Sequence, residues 1–561
     1  MCGITAVLNS KPSSSHAADL VIRDRDLIIR AADLIKVRGP DATAIHEPRG
    51  NLIIFHRLAI NDQSFDGMQP MSKGSVTMVC NGEIYNWREL VAKHNLTLRS
   101  GSDCEVVLEL YLKLGFEMMV RELYGVYAIL LIDSDTVYLA RDRVGIRPLY
   151  HAITHEGLLA VSSTPLPLVQ FCDPATIKPF QPGCYGVYTK RPVGDHYHTG
   201  PPVIRQTLFH PFPGPSPFHD MEDLTWSVGK CKELLEAAVK IRTVAGRPIG
   251  CLLSGGLDSS VVTAILCKHL SPANVRTYSV GMEGSPDLMY ARKVAEWCGT
   301  THHEVIFTPE QGLAEIPNVI RRLASRDITT IRASVGMSIL AKWIKANTPD
   351  TVIFSGDGSD ELGSYLYFRL APSAREFEAE SLRLLQSLHL YDVKRAEEML
   401  AQGLEGRFPY LDHRFVDWVL SLSPEFRLRY WGGKGEIEKY MLRLAFKGEL
   451  PNEVLWRQKC AFSDGVATAK KSWVQIIQDH AATIIPDELF NERRYMSKEH
   501  MMYHLIFQRE FTPVEGVDQR LGCAIYEPNI PVWMPKWCDA TDPSARTLAI
   551  CDENPPPLNE E

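Results

Sequence analysis

The chain has 561 residues, too many for one ordinary hydrophobic core, so more than one domain is expected. Its 45% hydrophobic and 23% charged residues are those of a soluble globular protein, and no apolar run reaches the roughly eighteen residues of a membrane span. A formal net charge of −8 gives no electrostatic reason to bind nucleic acid. Thirteen cysteines without a paired C-x-x-C framework suit a reducing compartment, and no signal peptide is visible, so a cytoplasmic location is expected.

Up to about residue 190 the pattern is of short strands broken by Gly, Pro and Asn turns, for example Leu52 to Phe55, Ser75 to Cys80 and Val126 to Ile132. Helices are expected over Arg23 to Lys36 and Glu105 to Leu114, which together predict mixed sheets covered by helices. A Pro-, Gly- and His-rich stretch, Arg191 to Phe218, reads as a linker or an irregular domain tail. Beyond it the rhythm becomes strand, loop, helix. A helix from about Leu224 to Arg242 precedes an apolar strand, Pro248 to Leu253, and a helix over Asp258 to Leu270 follows. Strand Thr277 to Gly281, a helix between Pro286 and Gly299, and strand Thr351 to Phe354 continue the alternation. This order predicts a parallel sheet flanked by helices. The expected boundaries are a first domain over 2–195, a linker over 196–222, a second domain over 223–545 and a flexible tail over 546–561.

The chain begins Met1-Cys2-Gly3-Ile4. A small second residue permits removal of Met1, which would place a thiol and a free amine on one residue. An amine of pKa about 7.7–8 can take the proton of a thiol near 8.5. Taken alone, the dipeptide is better read as a chance Cys at position 2. Other residues of the same half supply the needs of an amino-acid amide substrate. Arg57 offers a cation for an α-carboxylate, and Glu83 and Asp103 offer anions for an α-amine. The Asn81 side chain and the Gly82 backbone N–H offer two donors for a carbonyl oxygen turning tetrahedral. Asn81-Gly82 also fits a plain hairpin turn.

Cys-Gly-Ile at the start, Arg-Gly-Pro-Asp at 38–41, Asn-Gly-Glu-Ile-Tyr-Asn at 81–86 and Ala140-Arg141-Asp142 together resemble the class II glutamine amidotransferases. The resemblance implies that Cys2 attacks the glutamine carboxamide and releases ammonia through a thioester, with Asn81 and Gly82 as the oxyanion hole. It also implies that Arg57, Leu58, Ala59, Ile60, Asn61, Asn81, Gly82, Glu83 and Asp103 bind glutamine. Two departures stand out: Val37 where the family usually has His, and Ser163-Thr164-Pro165-Leu166 at a Ser-Glu-x-Lys element.

Ser254-Gly255-Gly256-Leu257-Asp258-Ser259-Ser260 lies between an apolar strand and a helix. Two glycines let the backbone wrap an anion, the serines add donors, and the helix N-terminus favours negative charge. No Gly-Lys-Ser/Thr follows, so it is not a Lys-bearing phosphate loop. A Gly-rich turn with an Asp helix cap is the alternative. The loop resembles that of the N-type ATP pyrophosphatases, and Asp258 beside phosphate implies Mg²⁺ as its ligand.

The two halves together resemble the glutamine-hydrolysing asparagine synthetase family over nearly the whole chain, to Trp533-Met534-Pro535-Lys536-Trp537. The implied fold is an α+β N-terminal-nucleophile glutaminase domain followed by an α/β ATP-pyrophosphatase-type domain with a parallel sheet. The implied substrates are glutamine, aspartate and ATP, with Mg²⁺ as cofactor and a homodimer as the assembly. Ser254, Gly255, Gly256, Asp258 and Ser259 should hold phosphate, and Leu253, Val280, Ser355 and Gly356 the adenosine. Lys459 should meet the pyrophosphate.

The rear half departs from the family where chemistry is expected. The loop Ser355-Gly356-Asp357-Gly358-Ser359-Asp360-Glu361 carries Asp357 where the family has a catalytic Glu, a reach shorter by roughly 1 Å. Ala324-Ser325-Arg326-Asp327 replaces Glu-Thr-Tyr-Asp, Arg395-Ala396-Glu397-Glu398 replaces a pattern with Asp followed by a base, and Glu405-Gly406-Arg407 has Gly where a larger residue is usual. Two readings follow: asparagine synthesis with Asp357 as the catalytic carboxylate, or a glutaminase or non-catalytic homologue whose synthetase half is impaired around Asp357 and Ala324.

Overall fold

Strand β1 (Gly3–Leu8) turns Ile4, Ala6 and Leu8 to one face and Thr5 and Val7 to the other, and all are buried. The structure, a computed structural model, describes residues 1–8, 24–189, 205–213, 224–362, 365–429, 437–457, 466–467, 471–511 and 537. After β1 come β2 (Ala42–His46), β3 (Leu52–Arg57), β4 (Met71–Lys73), β5 (Val76–Ile84), β6 (Gly125–Asp133) and β7 (Thr136–Arg141). Then follow β8 (Tyr150–Ile153), β9 (Leu159–Ser162), β10 (Lys178–Pro179), β11 (Cys184–Thr189) and β12 (Arg205–Leu208). They form two six-stranded sheets, β10-β8-β9-β1-β3-β2 and β12-β11-β7-β6-β5-β4. Ile4, Ala6, Ile53 and Phe55 of the first pack against Val79, Ala128, Leu130 and Leu139 of the second. The helix Arg25–Asp33 covers the outer face of the first sheet through Ile28, Ala31 and Ala32. The helix Glu105–Leu114 covers the second through Val106, Val107 and Leu110. Helix, sheet, sheet, helix is the layer order, and strands buried on both faces read as continuous apolar runs.

Local expectations shift in three places. The helix expected to reach Lys36 ends at Asp33 and tightens into a 3₁₀ turn, Lys36–Arg38, ahead of Gly39-Pro40, which cannot continue it. Asn81-Gly82 is no hairpin turn: it lies inside β5, opposite Ala128 and Tyr127. A Cβ at Gly82 would sit 2.2 Å from the Val126 carbonyl oxygen, so glycine serves the close approach of two backbones. The Pro-rich stretch before residue 222, expected as a linker or an irregular tail of the first domain, contributes β12, which pairs with β11 from Cys184 opposite Leu208 onward, so part of it belongs to the first unit.

The second unit begins with the helix Leu224–Ile241 and builds β13 (Ile249–Leu252), β14 (Arg276–Gly281), β15 (Thr301–Ile306), β16 (Val352–Phe354) and β17 (Glu405–Arg407). All pair in parallel in the order β15-β14-β13-β16-β17. The order reverses at β13, so a crevice opens where the carboxyl ends of β13 and β16 meet, the expected ligand position in such sheets. His302 and His303 point to opposite faces of β15. His302 bonds Thr277 Oγ1 at 2.9 Å, while His303 stacks on Tyr278. No helix among the described residues is long and apolar enough to cross a membrane.

The edge strand β17 faces the first unit. Arg407 pairs with Glu83 at 3.3 Å, Arg147 with Glu405 at 3.4 Å, and Arg38 with Glu397 and Glu398 at 2.5 and 2.9 Å. A second contact centres on Asp412, which accepts from Arg242 at 2.8 Å and also from Tyr124. Burial raises the Asp412 carboxyl, but Arg242, Arg414 and Tyr124 outweigh it and hold the group below its ordinary 3.8. A depressed carboxylate stabilises the fold above its unfolded pKa, and that contribution is lost as pH falls through the folded value. Asp412→Asn leaves Arg242 buried without its counter-charge and should cost about 3–5 kcal/mol at neutral pH. Thermal unfolding should show the gap between variant and wild type narrowing as pH drops below about 4.

Candidate active sites

The first site gathers around Cys2. Its backbone N–H donates to Asn81 Oδ1 at 2.9 Å, and its carbonyl accepts from Arg38 Nε at 3.1 Å. The thiol lies between the Leu58 N–H, 3.4 Å away, and the Leu58 carbonyl. Burial raises the thiol pKa, opposed by the neighbouring amine, the Leu58 backbone and Arg57. Met1 is buried, and its amine donates to the Leu404 carbonyl at 3.0 Å, with burial lowering that amine to about 5.

Because Asn81 Oδ1 is occupied by Cys2, its Nδ2 points onward, buried and without a partner, beside the backbone of Gly82. A buried donor left open is costly unless a ligand completes it. Asn61 Nδ2 donates to both Glu83 Oε2 at 2.7 Å and Asp103 Oδ1 at 2.8 Å, drawing the two carboxylates together. Burial, with Glu405 and Asp103 nearby, pushes Glu83 well above the usual carboxylate range, and burial raises Asp103 too. The guanidinium of Arg57 is aimed by the carbonyls of Ser64 and Asp62. The structure therefore gathers Cys2, Arg57, Leu58, Asn61, Asn81, Gly82, Glu83 and Asp103. Ala59 and Ile60 turn their carbonyls instead to Arg247 and to the Gly246 N–H, at the unit boundary. In the Ala140-Arg141-Asp142 motif, Asp142 accepts from the N–H groups of Gly145, Ile146 and Arg147, shaping the loop that carries Arg147 to Glu405.

The second site lies in the crevice of the parallel sheet. Ser254 to Gly256 leave β13 and enter the helix Leu257–Leu270, as the strand–loop–helix pattern predicts. Gly255 has φ +72°, and a Cβ there would lie 2.4 Å from Ala291 N, so only glycine fits. Gly356 packs against the same loop, where a Cβ would meet Ser259 N at 2.7 Å. Leu253, Val280, Ser355 and Gly356 thus stand at the carboxyl ends of adjacent strands. Asp357 is held by Arg395 NH2 at 2.8 Å and by the Ser355 hydroxyl.

Asp258 accepts from Ser359 Oγ at 2.8 Å and from Lys439 Nζ at 2.5 Å, and Lys439 also reaches Asp360 at 2.5 Å. Two carboxylates, Asp258 from the first turn of the helix Leu257–Leu270 and Asp360 from a 3₁₀ turn beyond β16, thus converge on one cation, an arrangement whose charge and oxygen donors suit Mg²⁺. Lys439 is almost wholly buried and holds a left-handed φ of 56°. Among the described residues no three His, Cys, Asp or Glu side chains are grouped to hold a metal unaided. Lys459 lies outside the described residues, as does the tail over 546–561.

The altered stretch at 324–327 is a joint between helices. Ala324 caps Pro309–Leu323 with φ 46°, and Asp327 accepts from Thr330 N at 2.7 Å to open Ile328–Asn347. Gly406 gives room to Phe408, whose ring a Cβ would meet at 2.7 Å. Lys439 carries no signal in the sequence, and Arg395, Glu405 and Arg407 register there only within stretches that depart from the family pattern, with no role attached. Their partners are distant in sequence, and a lone charge in a polar stretch carries no local signal.

A glutamine amidotransferase domain model matches residues 1–179, and an asparagine synthase model matches 230–383 and 369–510. The chain is 41% identical to asparagine synthetase (glutamine-hydrolyzing) of Mus musculus over 98% of both chains. It is 40% identical to those of Gallus gallus and Homo sapiens, again over 98% of each. Lys439→Met should lower the thermal midpoint, because Asp258 and Asp360 lose their shared cation, at a cost of about 3–5 kcal/mol. Millimolar Mg²⁺ should restore more stability to this variant than it adds to wild type; equal shifts would show that the two carboxylates do not form a cation site.

Proposed function

This chain belongs to the asparagine synthetase family, and from that premise we propose that it makes asparagine from aspartate, ATP and glutamine in two linked half-reactions. The observation that carries the first is the division of labour at Asn81: one side-chain atom holds the nucleophile's backbone and the other is an open buried donor. With Met1 removed, the Cys2 amine takes the thiol proton and the thiolate attacks the glutamine carboxamide carbon. Asn81 Nδ2 and the Gly82 N–H receive the developing oxyanion. Ammonia leaves, and water hydrolyses the thioester to glutamate. Arg57 binds the α-carboxylate, and Glu83 with Asp103 the α-ammonium.

In the second half-reaction the β-carboxylate of aspartate attacks the α-phosphorus of ATP, pyrophosphate departs, and ammonia displaces AMP from the β-aspartyl adenylate. Backbone and hydroxyl donors of Ser254, Gly255, Gly256 and Ser259 cradle the phosphates, and Leu253, Val280, Ser355 and Gly356 frame the adenosine. Asp258 and Asp360 would hold Mg²⁺, which when bound neutralises phosphate charge. Lys459 is assigned to the departing pyrophosphate, and Asp357, aimed by Arg395, to the proton of the attacking ammonia. Cytoplasmic location and a homodimer belong to the same reading, on family resemblance.

Cys2→Ala should cut glutamate release by more than about a thousandfold and leave ammonia-dependent asparagine formation within about twofold of wild type. Asp357→Asn should cut synthesis from both nitrogen sources about a hundredfold while glutamate release continues. Both follow from product assays with ATP, Mg²⁺, aspartate and either glutamine or ammonium. Glutamate release by wild type without AMP or pyrophosphate would overturn the synthetase assignment.

A further inference from the structure

Glu397 and Glu398 are consecutive glutamates on the helix Asp392–Leu400, and both are almost fully buried. Glutamate is rarely so buried unless paired. Their partner comes from the other half of the chain. Arg38 NH2 donates to Glu397 Oε1 at 2.5 Å, and its NH1 donates to Glu397 Oε2 at 3.2 Å and Glu398 Oε1 at 2.9 Å. The remaining Nε donates to the Cys2 carbonyl at 3.1 Å. A guanidinium is a rigid planar fork, so fixing two of its nitrogens on carboxylates fixes the direction of the third.

We propose that Glu397 and Glu398, though they belong to the synthetase half, are positioning residues for the glutaminase nucleophile, acting through Arg38 on the backbone of Cys2. This rests on the reading of Cys2 as nucleophile. Removal of Met1 also removes the bond to Leu404, so the orientation of Cys2 then depends on β1, on Asn81 at its nitrogen and on Arg38 at its carbonyl. A terminal residue has no preceding peptide to restrain it, and small misplacements of a nucleophile are costly. Arg322 supplies a second cation, donating to the Glu398 carbonyl at 2.9 Å and the Ala401 carbonyl at 2.7 Å. The same helix carries Arg395, which holds Asp357, so one rigid element touches both sites.

Glu397→Gln and Glu398→Gln should each lower kcat for glutamine hydrolysis roughly tenfold, with KM for glutamine nearly unchanged, because glutamine's own contacts are elsewhere. Ammonia-dependent asparagine formation should stay within about twofold of wild type. The pH profile supplies a readout that plain structural support would not move. Burial and Glu397 raise Glu398 to about 7, against Arg38, Arg322 and Lys394, which lower it. Below that pH the fork loses one anionic partner, so wild-type glutamine hydrolysis should fall, and Glu398→Gln should lack that ionisation. If either variant fails to fold, Arg38→Lys, which keeps charge but loses the fork, should give the same split. Parallel loss of both activities, or no loss of either, would overturn the proposal. Absence of glutamate release from wild type would instead overturn the glutaminase assignment beneath it.

Discussion

The buried charge network between the two halves is the constraint on which the rest depends. Arg38, Arg147 and Arg407 meet Glu83, Glu397, Glu398 and Glu405 with almost no exposure to solvent. Such pairs add little net stability, because desolvation offsets much of the Coulomb attraction. Their effect is on specificity. A docking slip of a few ångströms would leave several ions buried and unpaired, at several kcal/mol each, so only one relative arrangement of the units is tolerated.

That arrangement sets strand β17 between two chemistries. Its side chains Glu405 and Arg407 face the Cys2 site, while the Arg407 carbonyl accepts from Ser355 N at 3.0 Å, at the mouth of the nucleotide crevice. An edge strand is ordinarily a liability, with unpaired backbone open to other chains. Here the edge is covered by the first unit, and the cover is itself the proposed glutaminase site. Glu83 belongs at once to the proposed glutamine pocket and, through Arg407, to the junction, so the pocket's electrostatics are tied to docking.

Elements with local chemical causes were legible in the sequence, and those with remote causes were not. The loop after β13 was readable because glycine at a positive φ, serine donors and a helix start lie within seven residues. The helix between Pro286 and Gly299 was readable for the same reason. Asn81-Gly82 was readable only through family resemblance, since its local signal was a turn while its true setting is a strand pressed against β6. Lys439 carries no motif at all, and Glu405 and Arg407 register only as neighbours of an unusual glycine; their meaning comes from carboxylates and guanidiniums that the fold brings from far along the chain. Glu397-Glu398 registered only as a departure from the family pattern, and the structure supplies its partner in Arg38.

If the junction keeps the two sites in fixed register, ammonia released at Cys2 should reach the adenylate without mixing with solvent. The direct measurement uses amide-nitrogen-15 glutamine with excess unlabelled ammonium, at a pH where both donors are accepted, followed by mass analysis of the asparagine formed. Retained register predicts that asparagine formed from glutamine carries the undiluted label, over a background set by the ammonium-only rate. Label diluted to the isotopic composition of the bulk ammonium pool would contradict it.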